Sequence, residues 1–261
     1  MVVDDGYERM GSWCASRSLQ EGGVFVDVGA SVGHYSILCG KIVGSKGVGL
    51  AVEPDLVSMF VLRDSIARVG LSHVNPIQCA VSDKPGSFWF HLNGGDNLGD
   101  HRLWLEDGEK RDYLLVPGLT LDMLCKDMTS VDFLKVDTQG WEMRVLCGGI
   151  DVIKRSPNLS MLVEFYPYGL VKSGTTCKDF MSFLYGMGFH IYMVDEDNGR
   201  MLGLSEGVIM EPSHPEINRQ CVNLYCTKQR MGGICDHMTK PDVVPIDNYQ
   251  VSGYTDVWLP K

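Results

Sequence analysis

The stretch Val24–Ser36, VFVDVGASVGHYS, decides the fold. Val24, Phe25, Val26 and Val28 surround a single acid, Asp27, and two glycines four apart, Gly29 and Gly33, follow before a helical run begins. A short apolar run bounded by glycine reads as a buried strand. A strand that turns on glycines straight into a helix leaves backbone N–H groups and a helix N-terminus at its carboxyl end, which is a ready site for an anionic group. In open α/β sheets, ligands bind at such turns.

Residue identity narrows what this turn holds. A phosphate loop of the G-x-x-x-x-G-K-[ST] type is excluded, because no Lys-Ser or Lys-Thr pair follows Gly33. A nicotinamide or flavin turn wants G-x-G-x-x-G. Gly29-Ala30-Ser31-Val32-Gly33 lacks the middle glycine that lets the backbone approach a pyrophosphate. Asp27 at the mouth is also a poor neighbour for two phosphates. The same acid suits a cation. S-adenosylmethionine carries an ammonium, a carboxylate, a sulfonium, a ribose and an adenine, and no phosphate. On that reading Asp27 attracts the ammonium, while backbone N–H groups of Gly29, Ala30, Ser31 and Gly33 and the helix N-terminus hold the carboxylate. Glu53, followed by Pro54 at the end of the next strand, accepts from the ribose hydroxyls. The structural alternative makes Asp27 a helix cap and Glu53 a solvated strand end.

Outward from this turn the chain alternates. Strand-like runs cover 23–29, 47–54, 74–82, 131–137, 159–167, 189–195 and 220–228, and helical spacing covers 34–44, 56–70, 140–156 and 177–188. Between the third and fourth strands, Gly86–Leu92 and Arg111–Gly118 read as a hairpin around a polar loop, with a short helix at Thr120–Met128. The expected fold is therefore α/β: a Rossmann-like, seven-stranded, mostly parallel sheet with helices on both faces and a β-hairpin insertion (84–118) after the third strand. One domain is expected over 1–230, with an irregular tail over 231–261. Chemistry is expected just beyond the strands, at Asp27–Gly33, Glu53, Ser82, Asp83, Asp137, Gln139 and Glu164.

The bulk numbers remove whole classes of function. A formal net charge of −10 and the lack of any basic run argue against broad phosphate-backbone binding. No run of about 18 apolar residues predicts a membrane span, and MVVDDGYERM lacks the apolar block of a secretory signal. Nine cysteines without a C-x-x-C pair fit a reduced, cytoplasmic setting. Cys221, Cys226, Cys235 and His237 match no standard zinc spacing, so no metal is expected there.

FVDVGASVGHYSI, AVEPD, LTLD, VDFLKVDTQGWEMRVLCGG and VEFYP follow one another between Val24 and Pro167. In that order they resemble the FkbM-type methyltransferases, class I enzymes that use S-adenosylmethionine to O-methylate hydroxyls of natural products and sugars. LKVDTQGWEMRVLCGG is the most specific block; the first block is general to class I methyltransferases. The resemblance implies Asp27, Gly29 and Gly33 at the methionine end of the cofactor, Glu53 on the ribose, and Ser82 or Asp83 near the adenine. It places Lys135, Asp137, Gly140 and Glu142 in the signature at the fourth strand. Gln139 departs from the family, which often has Glu there. Nothing after Pro167 carries a specific match.

Methyl transfer from a sulfonium is an in-line displacement in which alignment does most of the catalysis, and a hydroxyl nucleophile gains further from a general base. Asp137, ending a buried strand, is the first candidate base and Glu164 the second, with Lys135 as a partner for either. His101, in the hairpin loop, is a third, since histidine titrates near neutrality. Asn97 and Arg102 in the same loop are placed to contact cofactor or acceptor. The structural alternatives are a helix cap for Asp137, a pairing of Glu142 with Lys135 or Arg144, and a solvated hairpin tip for the loop. No third ligand accompanies the carboxylates, so metal dependence is not expected. The sequence points to an S-adenosylmethionine-dependent methyltransferase acting on a hydroxyl of a small molecule, sugar or natural product, with S-adenosylhomocysteine as product. The alternatives are a catalytically silent S-adenosylmethionine-binding partner protein and a nucleic-acid ribose 2′-O-methyltransferase.

Overall fold

The computed structural model describes residues 8–94, 100–106, 108–205, 207–210 and 219–231, with the backbone of 236–238 and 243–244. Asn97 and Cys235, and the side chain of His237, lie outside the described residues.

The chain opens with α1 (Arg9–Ser18), β1 (Val24–Val28), α2 (His34–Val43), β2 (Val48–Val52), α3 (Leu56–Val69) and β3 (Val74–Ile77). β4 (Ala80–Val81), β5 (Gly86–His91) and β6 (Tyr113–Leu119) then form a separate three-stranded sheet in the order β4-β6-β5. α4 (Leu121–Leu124), β7 (Phe133–Val136), α5 (Glu142–Cys147), α6 (Ile150–Arg155), β8 (Ser160–Phe165), α7 (Pro167–Lys172), α8 (Cys177–Gly186), β9 (His190–Asp195) and β10 (Arg200–Leu204) follow. The remaining strands are β11 (Ile209–Met210), β12 (Val222–Thr227), β13 (Asp236–Met238) and β14 (Val243–Val244).

The main sheet runs β13-β10-β9-β12-β8-β7-β1-β2-β3. β3, β2, β1, β7 and β8 are parallel neighbours. β12 inserts antiparallel between β8 and β9. The expected Rossmann-like α/β sheet is present with all seven expected core strands, and β10 and β13 extend it to nine. Both faces are covered, so the central strands show no polar alternation: all four residues of β7 and all six of β8 are buried. Alternate positions feed two cores. Val26, Leu134, Val136, Met161 and Val163 pack with α5, α6 and α8 on one face. Phe25, Phe133 and Leu162 pack with α1, α2 and α3 on the other. Asp27, Lys135 and Glu164 share the parity of this second set, which puts three ionisable groups inside it.

Three expectations change. The run 74–82 is not one strand: β3 joins the main sheet and β4 the small one. The helical run 140–156 breaks at Gly148 and Gly149 into α5 and α6. A Cβ on Gly148 would collide with the Ser82 carbonyl, so the backbones meet there where a continuous helix with side chains would not fit. The tail is not wholly irregular, since β13 extends the main sheet and β14 pairs with β11. α1 and α7 carry no strong sequence signal and were not anticipated.

The turn after β1 has positive φ at Gly29 (79°), Ser31 (47°) and Gly33 (103°). It is pinned by two hydrogen bonds, from the Gly29 and Ala30 N–H groups to the Val52 carbonyl, at 2.9 and 3.0 Å. A Cβ on Gly29 would run into the Asp137 carbonyl oxygen. Gly29→Ala therefore combines a left-handed backbone with a backbone clash, and should cost about 3 kcal/mol or more in urea unfolding, or prevent folding.

Candidate active site

A cleft open to solvent lies at the carboxyl ends of β1, β2 and β7. Gly29 and Ser31 of the turn, Glu53 and Pro54 after β2, and Asp137, Thr138 and Gln139 after β7 form one side. Cys79, Ala80, Val81, Phe90 and the segment His101–Leu103 form the other. The insertion thus contributes Phe90, His101, Arg102 and Leu103 to the cleft wall.

Glu53 is held by two backbone donors. Its Oε2 accepts from Ser31 N and its Oε1 from Asp55 N, both at 2.8 Å. A carboxylate has about four acceptor sites, so each oxygen keeps room for another donor. Burial pushes its pKa up to about 7 against the pull of those two donors. Asp27 sits behind the turn and off the cleft wall, 2% exposed, with Oδ2 accepting from Ser36 Oγ at 2.6 Å. Burial pushes it to about 6, with the Ser36 hydroxyl and the Lys135 charge opposing. Asp27 thus meets the first turn of α2 at Ser36, and Glu53 is buried and not a solvated strand end.

Behind Asp137 lies an ionic cluster. Lys135 Nζ stands 3.1 Å from Asp137 Oδ2 and 3.5 Å from Asn223 Oδ1. Burial opposes its charge, but Asp137, Glu8 and Glu164 outweigh burial and raise its pKa. Glu164 is buried, and burial together with the charges of Asp137 and Glu142 raises its pKa well above the usual range. Glu142 does not pair with Lys135 or Arg144. Its Oε1 accepts from Thr138 N, Thr138 Oγ1 and Gly140 N at 2.9, 3.1 and 3.0 Å, which ties down the loop after β7. Asp137 caps no helix; its carboxylate serves Lys135 and Gln139.

The insertion supplies its own ion network. Arg102 is 1% exposed, donates to both Glu109 oxygens at 2.6 and 2.7 Å, and lies 3.9 Å over the Trp104 ring. Arg111 adds bonds to Glu109 and Asp100. Burial raises the Glu109 pKa, but the Glu106 N–H, Arg111 and Arg102 hold it down at about 2. His101 accepts at Nδ1 from Asn93 N at 2.8 Å, and burial lowers its pKa. Neutral His101 then carries its proton on Nε2, which leaves no lone pair for an acceptor's proton.

Ser82 and Asp83 stand at the edge and do not line the cleft. Ser82 Oγ donates to Asp83 at 2.9 Å and accepts from Trp141 Nε1 at 3.1 Å, and Asp83 pairs with Arg144 at 3.2 Å. The structure therefore gathers Gly29, Ser31, Glu53, Pro54, His101 and Asp137 at the cleft. Ala30 and Gly33 shape its turn, and Asp27, Lys135 and Glu164 lie behind it. Trp104 was not anticipated: HRLWLEDG carries no motif, yet Trp104 Nε1 donates to the Gln139 carbonyl at 2.6 Å. Among the described residues no group of side chains is arranged to hold a metal ion.

The model of the methyltransferase FkbM domain matches residues 27–191, from the acid of the turn to β9. The chain belongs to the FkbM methyltransferase family. No curated protein sequence matches it. A solved FkbM methyltransferase from Methylobacillus flagellatus KT aligns at 15% identity and TM-score 0.48, over 80% of this chain and 44% of that one, so this chain spans less than half of that protein. An S-adenosylmethionine-dependent methyltransferase from Aquifex aeolicus aligns at 15% identity and TM-score 0.44, over 81% and 85% of the two chains. Precorrin-6y C5,15-methyltransferase from Geobacter metallireducens GS-15 aligns at 11% identity and TM-score 0.46, over 87% and 92%.

The methyl donor of this FkbM domain is S-adenosylmethionine, and the cleft fits it. Among the described residues lining the cleft, the one Lys or Arg is Arg102, which is paired with Glu109; Lys135, behind the cleft, is paired with Asp137. Glu53 and the turn residues Gly29 and Ser31 line the cleft together, with Ser31 N donating to Glu53. The Glu53→Gln variant should bind S-adenosylhomocysteine about 10- to 100-fold more weakly by calorimetry, the worth of a hydrogen bond to a charged group.

The raised acids also set a stability trend. An acid whose pKa is higher folded than unfolded costs stability above its unfolded pKa, and that cost fades as pH falls through the folded value. For Asp27 and Glu53 the window runs from about 7 down to about 4. Lowering the pH from about 8 to about 5.5 should raise the thermal midpoint. Asp27→Asn, which keeps an acceptor for Ser36, should flatten that rise; an unchanged slope would disprove the assignment.

Proposed function

We propose that this chain methylates a hydroxyl of a small molecule or sugar, with Asp137 receiving the hydroxyl proton. The observation that supports this is the place of Asp137. It lies on the cleft wall at the end of β7, beside the cofactor turn, with Lys135 behind it and a side chain 22% exposed. Bound S-adenosylmethionine supplies an electrophilic methyl on a sulfonium that leaves as a neutral thioether. The C–O bond forms as the C–S bond breaks, the electron pair departs with sulfur, and the hydroxyl proton passes to Asp137.

The chain's own residues then have separate tasks. Glu53 and the turn fix one reactant, and the apolar side chains of Ala80, Val81, Phe90 and Leu103 limit water. Lys135, whose ammonium donates to Asp137 Oδ2 at 3.1 Å, holds that carboxylate in place. Thr138 and Gln139, in the loop held by Glu142, line the cleft beside Asp137. A small uncharged acceptor is favoured over nucleic acid because the one guanidinium at the cleft, Arg102, is already paired with Glu109, and the other charged side chains there are the acids Glu53 and Asp137. No described helix is long and apolar enough to cross a membrane.

The test begins with calorimetric binding of S-adenosylhomocysteine, then a panel of hydroxyl acceptors with labelled methyl donor. Asp137→Asn should lower kcat by about 10²-fold or more while leaving S-adenosylhomocysteine affinity nearly unchanged. Full turnover in that variant would remove Asp137 from the proton-transfer role. Binding without turnover on any acceptor would favour a cofactor-binding partner protein.

A further inference from the structure

Gln139 carries features that the reaction as described does not use. Its backbone has φ 54°, in the left-handed region that few non-glycine residues adopt. Its carbonyl accepts from Trp104 Nε1 at 2.6 Å, and Trp104 is packed against Tyr166 and Tyr168. The insertion thus anchors the backbone of Gln139 in this conformation. Turned this way, its Nε2 stands 3.0 Å from Asp137 Oδ1 and 3.0 Å from both oxygens of Glu164. An amide nitrogen offers two donors and no charge. It can face two acids at once without changing the charge of the cluster.

The geometry points to Gln139 as a positioning residue whose side-chain amide couples Asp137 to Glu164 and holds Asp137 ready to accept a proton. This rests on the reading of Asp137 as the proton acceptor. Both oxygens of Asp137 are thereby directed, Oδ2 by Lys135 and Oδ1 by Gln139. The charged and titratable groups around the pair are Lys135 of β7, Glu142 of α5, Asp27 of β1, Glu8 before α1 and Cys221 before β12. Tyr35 of α2 places its ring 5.3 Å from the Lys135 ammonium. Lys135 is the one cation in that set. Another carboxyl at 139 would compete with Asp137 and Glu164 for protons and for Lys135. An aliphatic residue there would remove the donor shared by Asp137 and Glu164.

The test needs no acceptor. Side-chain carboxyl groups of the full chain are labelled with ¹³C and titrated by NMR, with the Asp137 signal identified by its loss in Asp137→Asn. Gln139→Glu should raise the apparent midpoints of the Asp137–Glu164 pair by about one pH unit or more. Gln139→Ala should move them the same way by less. Trp104→Phe, which keeps the ring and removes the donor to the Gln139 carbonyl, should follow Gln139→Ala and serves if the 139 variants fail to fold. Midpoints unmoved in the folded variants, even with a lowered melting temperature, would overturn the positioning role. Full turnover in Asp137→Asn would instead overturn the proton-acceptor reading, whatever the midpoints do.

Discussion

Lys135 supplies the positive charge at a place where parallel register brings acids together. Asp27 is its partner on β1, and Glu164 on β8 lies two residues past its partner Leu162. Side chains at these positions share a face, so the acids and the ammonium meet inside one core. A charge taken out of water is tolerable only when paired and hydrogen-bonded. Removing one partner of such a buried pair costs about 3–5 kcal/mol, because the other is left uncompensated. The carboxyl-rich end of this sheet is therefore conditional on one side chain. The acids that Lys135 does not satisfy directly are met by hydroxyl, amide or backbone N–H groups: Asp27 by Ser36, Glu164 by Gln139, Glu142 by the loop 138–140.

That arrangement divides the cleft into a rigid side and an appended side. On the rigid side, the turn after β1 is strapped to Val52, and Glu53 is strapped back to Ser31, so the turn and the acid are tied into one piece. The appended side is the insertion with its small sheet. Its loop is drawn together by Arg102 and Arg111 among Asp100, Glu106 and Glu109. It touches the catalytic end through Trp104 and Gln139. The cleft at the edge of this α/β sheet thus receives part of its wall from a segment that is not part of the sheet.

Much of this was legible because the evidence was local. The buried strands announce themselves as apolar runs, and Asp27, Glu53 and Asp137 as acids at their ends. The FkbM signature around Lys135 and Asp137 is dense enough to name a family. What escaped depends on tertiary partners. β3 and β4 look like one strand, since nothing in VNPIQCAVS says that its second half will pair with β6. Gly148 and Gly149 look like a weak point in one helix until the Ser82 carbonyl is seen against Gly148 and the Leu121 side chain against Gly149. Glu142 looks like an ion-pair partner until the N–H groups of Thr138 and Gly140 claim it. Trp104 had no signal, because its role is set by a carbonyl 35 residues away.

The position of β12 bears on how the chain is assembled. It lies between β8 and β9, antiparallel to both, yet it is supplied by residues 222–227, after β9 and β10 in sequence. During synthesis, β1, β2, β3, β7 and β8 emerge with their neighbours already made, so that half can zip up progressively. The β9–β10 hairpin emerges next with no edge to join, since the strand that connects it to β8 is still unmade. Both the β8 edge and the β9 edge stay open until that late segment arrives, and unpaired edges of this kind are where nascent chains associate wrongly. The vulnerable interval for this protein is therefore the translation of roughly its last quarter of the described strands, and slowing or truncating synthesis there would expose two sticky edges at once.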